Sequence, residues 1–152
     1  MANAEIGQDP RHVVITGASS GIGLAIAQRL LGDGWRVTGI SRSEPPLKNA
    51  LFKHLAIDLT DIASIPTALS GLKPTALVHA AGLLRVGGLG SLDPKDGEAM
   101  WRLHVAVAEL LANSLVPEMR DGGRIVLIGS RTASGAAGRS QYAATNTNPH
   151  EG

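Results

Sequence analysis

The chain has 152 residues, of which 43% are hydrophobic and 18% charged, and its formal net charge is +1. That length buries one core and not two, and a near-neutral chain with scattered basic residues offers no field to draw in nucleic acid or anionic lipid. With no cysteine, a disulfide framework, a thiolate metal site and a thiol nucleophile are all excluded.

The first ten residues, MANAEIGQDP, lack the charged start and apolar core of a signal peptide, and no run reaches membrane-spanning length. A soluble, cytoplasmic protein without a membrane partner is expected. Residues 1–11 read as a loose arm ending at Pro10. His12 to Ile15 then read as a buried parallel strand, because three β-branched residues in a row leave no polar face. Thr16 ends that strand, and Gly17, Gly21 and Gly23 follow at the spacing G-x-x-x-G-x-G. Such glycines suit a tight turn, a backbone bare enough to touch a pyrophosphate, and close helix–sheet packing. Alone, the same string is also compatible with a plain glycine-rich turn. The helix after it carries Ile22, Leu24, Ala25, Ile26, Leu30 and Leu31 at helical spacing and is closed by Gly32 and Gly34. Its free N–H groups and positive dipole end would face the phosphate. The string TGASSGIG closely resembles the cofactor loop of the short-chain dehydrogenase/reductase family. That resemblance implies that Gly17, Ser19, Gly21, Ile22 and Gly23 cradle a dinucleotide's pyrophosphate.

Trp35 to Ile40 give a second strand, which runs into Ser41, Arg42 and Ser43. In a doubly wound nucleotide fold the ribose is inspected here: a carboxylate suits a free 2′-hydroxyl, and an arginine accommodates a 2′-phosphate. No carboxylate precedes Glu44, so Arg42 favours NADP over NAD, although a lone loop arginine is ordinarily just solvated. After Pro45-Pro46, the segment LKNALFKHL is too short for a long crossover helix. Leu55 to Ile57 read as strand three, ending at Asp58-Leu59. The resemblance places this pair at the adenine pocket, while Asp58 by itself equally suits a helix cap or a turn. Residues 61–72 read as a helix with Ile62, Ile65 and Leu69 on one face and Pro66 near its start. Ala76 to Val78 form strand four and lead into His79-Ala80-Ala81-Gly82, which looks like the family's Asn-Asn-Ala-Gly with both amides replaced. The small residues Ala81 and Gly82 are implied to lie beside the cofactor.

Leu83 to Ser91 form a glycine-rich loop, and Asp93 or Asp96 is placed to cap the longest helix, Glu98 to Met119. His104 on that helix stands where the family usually has an asparagine that holds a water in a proton relay; a part-buried histidine bonded to a neighbour is the other reading. Gly122-Gly123 turn the chain into Arg124 to Ile128, a fifth strand of buried character, followed by Ser130 and, twelve residues on, Tyr142. The resemblance spans residues 12–145. It implies an α/β, Rossmann-type doubly wound parallel sheet of five strands in the order 3-2-1-4-5, incomplete at the carboxyl end, with an alcohol or carbonyl compound as substrate.

Within the family, a serine matched by Ser130 polarises the substrate oxygen, and a tyrosine matched by Tyr142 moves the proton. An ordinary phenol titrates near 10 and is a poor base at neutral pH. The family's remedy is a lysine four residues later; here that position is Asn146, which supplies no charge. Slow or absent hydride transfer is therefore expected, with a non-catalytic dinucleotide-binding or interaction module as the alternative. Residues 146–152 read as a polar tail outside the family pattern. Strand five is then a sheet edge, and self-association or homo-oligomerisation through it is expected.

Overall fold

Parallel strands β1 (His12–Thr16), β2 (Arg36–Ser41), β3 (Phe52–Ala56), β4 (Ala76–His79) and β5 (Arg124–Leu127) form one sheet in the order β3-β2-β1-β4-β5. This computed structural model describes residues 9–146, so most of the expected arm and tail lie outside it. Every residue of β1 is buried, as its unbroken apolar run requires. Alternate side chains of β1 feed two layers. Val14 joins Ile40, Leu77, Ile65, Leu111 and Leu115 on one face, while Val13 and Ile15 join Val37, Ala27 and Leu31 on the other.

Helix α1 (Gly21–Gly32) covers the second face and ends as expected, with Gly34 in the left-handed region at φ 79°. The end of the arm is tied down. Arg11 lies over the Trp35 ring at 4.4 Å, and its carbonyl accepts the Arg36 N–H at 2.8 Å.

Strand β3 starts three residues before the expected Leu55 and stops short of Ile57. The reason is lateral. Gly39 on β2 has no side chain, and the Phe52 ring fills the room, within 2.8 Å of where a Cβ would sit. The expected helix over 61–72 shrinks to a 3-10 turn (Ile62–Ser64) and α2 (Ile65–Leu69), because Ser70 turns extended and Gly71 takes a positive φ. Its three apolar positions still face the core, with Ile65 and Leu69 fully packed.

The long helix begins at Pro94, four residues earlier than its apolar spacing indicates. Asp93 accepts the Lys95 N–H at 2.9 Å and starts the helix, and proline is tolerated in its first turn. It runs as α3 (Pro94–Trp101), a π-helical segment (Arg102–Ala106), α4 (Val107–Leu115) and a 3-10 turn (Val116–Glu118). Met100, Val107, Leu111 and Leu115 are buried on one stripe. Among the described residues, no helix is long and apolar enough to cross a membrane.

Strand β5 looks buried by composition, yet every residue from Arg124 to Leu127 is exposed. Among the described residues it pairs only with β4, so one backbone edge and parts of both faces meet solvent.

Candidate functional site

The carboxyl ends of the strands converge where β1 passes into α1. Thr16, at the last position of β1, is fully buried and its hydroxyl is saturated. It accepts N–H groups from Ala80 and Ala81, each at 3.1 Å, and donates to Nδ1 of His79 at 2.7 Å. This bond fixes the tautomer: Nε2 of His79 faces the carbonyl of Leu103 at 2.9 Å, so Nε2 carries the proton and Nδ1 accepts. Burial holds His79 below the usual histidine range, against the opposing pull of the Leu103 carbonyl. The histidine that replaces the family's amide therefore binds β4 to β1 and to the π-helical segment.

Gly17 follows with φ 70°, and its N–H donates to the Ile40 carbonyl at 2.9 Å. A Cβ there would lie 2.8 Å from the Ala81 nitrogen, and one on Gly23 would lie 2.2 Å from the Gly17 oxygen. Both glycines are thus required by close backbone approach. Gly21 differs: its φ is 55° and nothing lies within 4 Å of the missing side chain. It opens onto solvent at the first turn of α1, where Ser20 makes no side-chain cap and no acidic residue stands. Ser19 is half-buried beside it, and Ile22 is 59% exposed, on the rim and not in the apolar face that its spacing indicates. An open glycine and an uncapped helix start fit an anionic diphosphate.

At the end of β2, Ser41 is buried and Arg42 exposed. Asp58 uses one carboxylate oxygen for both the N–H and the hydroxyl of Thr60, at 2.9 and 2.7 Å. Those bonds, with a smaller contribution from the nearby Arg42 guanidinium, hold its carboxyl below the ordinary range. Asp58 thus takes the turn role that its residue type suits. Leu59, expected at an adenine pocket, turns its side chain into the core beside Ile57 and Ile65.

At the other end of the cleft, His104 bridges two elements. Its Nε2 accepts the Leu83 N–H at 2.9 Å, so Nδ1 carries the proton, which it gives to the Thr145 hydroxyl at 2.8 Å. Thr145 in turn donates to the Tyr142 carbonyl at 3.0 Å. Both ring nitrogens are engaged by protein groups, the arrangement of a part-buried histidine bonded to its neighbours. Burial, and secondarily His79, lowers the pKa of His104. Its ring meets that of Tyr142 edge-on, with centroids 5.5 Å apart.

Tyr142 lies in the first turn of α5 (Ser140–Thr145), half-buried. Asn146 donates to the Tyr142 carbonyl at 2.9 Å. Its amide nitrogen also lies 3.5 Å from Nδ1 of His104, but that nitrogen holds a proton, so this approach is not a hydrogen bond. Ser130 begins the 3-10 turn Arg131–Ser134 and accepts the Thr132 N–H at 3.2 Å, with the Thr132 hydroxyl at 2.8 Å. Ala81 and Gly82 line the middle of the cleft, Ala81 against Gly17 and Gly82 near His104. A cavity of about 420 Å³ opens behind them, lined by His79, Ala81, His104, Leu127 and Asn146.

At the carboxyl edge the structure thus brings Gly17 against Ala81, Gly82 near His104, and His104 against Tyr142. Sequence reasoning missed the bridging roles of Thr16, His79 and Thr145, whose cross-element partners lie 24 to 65 positions away. No local spacing carries that signal.

A five-stranded parallel sheet with a glycine crossover opening onto a free helix start defines a dinucleotide-binding protein of the Rossmann type. The short chain dehydrogenase family model matches residues 11–147, and the chain belongs to that family. The match extends past Thr145, where the apparent family pattern ends. The chain is 33% identical over 138 residues to the short chain dehydrogenase andC of Emericella variicolor, covering 84% of this chain and 55% of that protein. It is 32% identical over 145 residues to the 3-oxoacyl-acyl-carrier-protein reductase FabG of Salmonella typhimurium, covering 86% and 59%. A blue fluorescent protein from a metagenomic library, solved in complex with NADPH, superposes with a TM-score of 0.79 at 30% identity, covering 90% of this chain and 63% of that one. The chain therefore spans little more than half the length of these curated relatives.

Proposed function

We propose that this chain binds a nicotinamide dinucleotide, NADP in preference to NAD, and belongs by chemistry to the oxidoreductases that interconvert alcohols and carbonyl compounds. The observation that carries this reading is the crossover itself: Gly17 and Gly23 in forced close contact, and Gly21 open at an uncapped helix start. Gly17, Ser19, Gly21, Ile22 and Gly23 hold the diphosphate, Arg42 the ribose 2′-phosphate, Asp58 and the backbone at Leu59 border the adenine, and Ala81 and Gly82 flank the remainder. Bound there, the cofactor supplies or accepts a hydride. Ser130 orients the oxygen of a small alcohol or carbonyl substrate, and Tyr142 gives or takes its proton.

The Asn146 amide can hold the backbone of Tyr142 but brings no positive charge to favour its phenolate. Hydride transfer is therefore slow, and a second reading, a dinucleotide-binding module without turnover, rests on this same residue. Titration with NADPH and NADH, alongside NADPH consumption over a panel of carbonyl compounds, separates the two. Binding with slow turnover that Asn146→Lys speeds supports the enzyme, binding without turnover supports the module, and brisk turnover by the parent chain refutes the effect assigned to Asn146. Absence of binding to either dinucleotide refutes both. The exposed β5 edge supports self-association as the mode in which this chain meets partners.

A further inference from the structure

The residue proposed to read the 2′-phosphate, Arg42, sits in a short bend that the fold clamps from behind. Ser41, the last residue of β2, is buried, and its hydroxyl donates to the Ser43 carbonyl at 2.7 Å, closing the backbone around Arg42. Having given its proton away, that hydroxyl can only accept from other groups. Nε2 of His54 lies 3.1 Å from it and 3.0 Å from the Ser41 carbonyl. Both are acceptors, so Nε2 carries the proton and is shared between them. His54 reaches them because of register: it pairs with Gly39 on β2, two residues before Ser41 and on the same face of the sheet. Gly39 offers no side chain to block the way, and Phe52 takes the space beside it.

We infer that His54 is a positioning residue for dinucleotide selection. By locking Ser41 through its hydroxyl and carbonyl, it sets where the Arg42 guanidinium stands, and so the preference for a 2′-phosphate over a free 2′-hydroxyl. The inference rests on the reading of Arg42 as the 2′-phosphate residue. The physical reason is entropic. An arginine on a loose bend loses freedom each time it closes on a phosphate, whereas one on a clamped bend has lost most of it already. Only NADP draws on that preorganisation; the glycine loop, which serves both cofactors, lies on another crossover.

The test is binding, followed by intrinsic fluorescence quenching or calorimetry with NADPH and NADH separately, on the full chain. His54→Leu leaves both Ser41 acceptors without their donor, and its Kd for NADPH is expected to rise about 5- to 10-fold while that for NADH stays within about twofold. His54→Gln places an amide N–H near the position of Nε2 and is expected to restore NADPH binding to within about twofold of the parent. Ser41→Ala, which removes the closing bond while keeping the imidazole, is expected to lower the NADPH preference in the same direction and serves if the leucine variant does not fold. An unchanged NADPH-to-NADH ratio in His54→Leu, or in Ser41→Ala if that is the variant that folds, overturns the inference while leaving Arg42 standing, provided Arg42→Ala does abolish the preference. If the parent chain shows no preference for NADPH, the Arg42 reading fails first and the inference falls with it.

Discussion

The hydroxyl of Thr16 and Nδ1 of His79 meet at 2.7 Å across the β1–β4 pair, and both side chains are buried. The same oxygen satisfies the N–H groups of Ala80 and Ala81, so one side chain fixes the start of the segment that lines the cleft. Thr16→Val keeps the shape and removes every one of these bonds. Each buried group left without a partner costs about 1–3 kcal/mol, so a loss of about 2–4 kcal/mol is expected, read as a lowered urea midpoint with an unchanged slope. Thr16→Ser keeps the hydroxyl and should lose about 1 kcal/mol from the missing methyl group. Equal midpoints for the valine variant and the parent would show that this network contributes nothing.

Acid should destabilise the fold well before the carboxylates titrate. Burial holds His12, His79 and His104 below the ordinary histidine value of 6.5, with Arg36 and Lys53 adding to the effect at His12. In the unfolded chain these rings protonate near pH 6.5, while in the folded chain they protonate only at lower pH. As pH falls through that value the unfolded state binds more protons, so stability is full above it and declines toward the lower folded-state pKa values. Urea midpoints measured from pH 8 to pH 5 should therefore fall steadily below about 6.5. A flat profile over that interval contradicts the burial of neutral histidines.

The glycines of the crossover are not equivalent, and substitution should separate structure from binding. Gly23→Ala forces a methyl group to 2.2 Å from a backbone oxygen and is expected to cost several kcal/mol or prevent folding. Gly21→Ala meets no atom but holds a positive φ, a strain of about 1–2 kcal/mol. The second variant should fold, melt slightly lower and bind NADPH more weakly. Thermal melts with and without NADPH read both effects, and a Gly23→Ala protein as stable as the parent would refute the close approach.

Association should depend on concentration. Ile125, Val126 and Leu127 are 45%, 44% and 50% exposed on a strand that, among the described residues, is paired along one edge only. Sedimentation velocity across a dilution series is expected to show a shift toward larger species, suppressed by Val126→Lys, since an edge lysine opposes strand pairing. A monomer at every concentration would dismiss the edge as a contact.

How much of this was legible in the sequence depends on how far apart the interacting residues lie. Periods and punctuation are local, so the strand-glycine-helix crossover at residues 12–32, the strand order implied by the family motifs, a cap at Asp93 or Asp96 and the apolar stripe Met100, Val107, Leu111 and Leu115 could all be read directly, the structure choosing Asp93. The order of landmarks along residues 12–145 also pointed to the family, whose model matches residues 11–147. Tertiary structure alone decided the rest. Phe52 begins β3 because a glycine on the neighbouring strand leaves room for its ring, and Leu59 is buried in the same core cluster as Ile65 of α2. The histidines show the difference most plainly. Nothing near His79 or His104 in sequence names their partners, yet Thr16, Leu103, Leu83 and Thr145 assign every ring nitrogen a donor or an acceptor. A hydrogen bond is a matter of ångströms, and only the folded sheet brings such distant residues within that range.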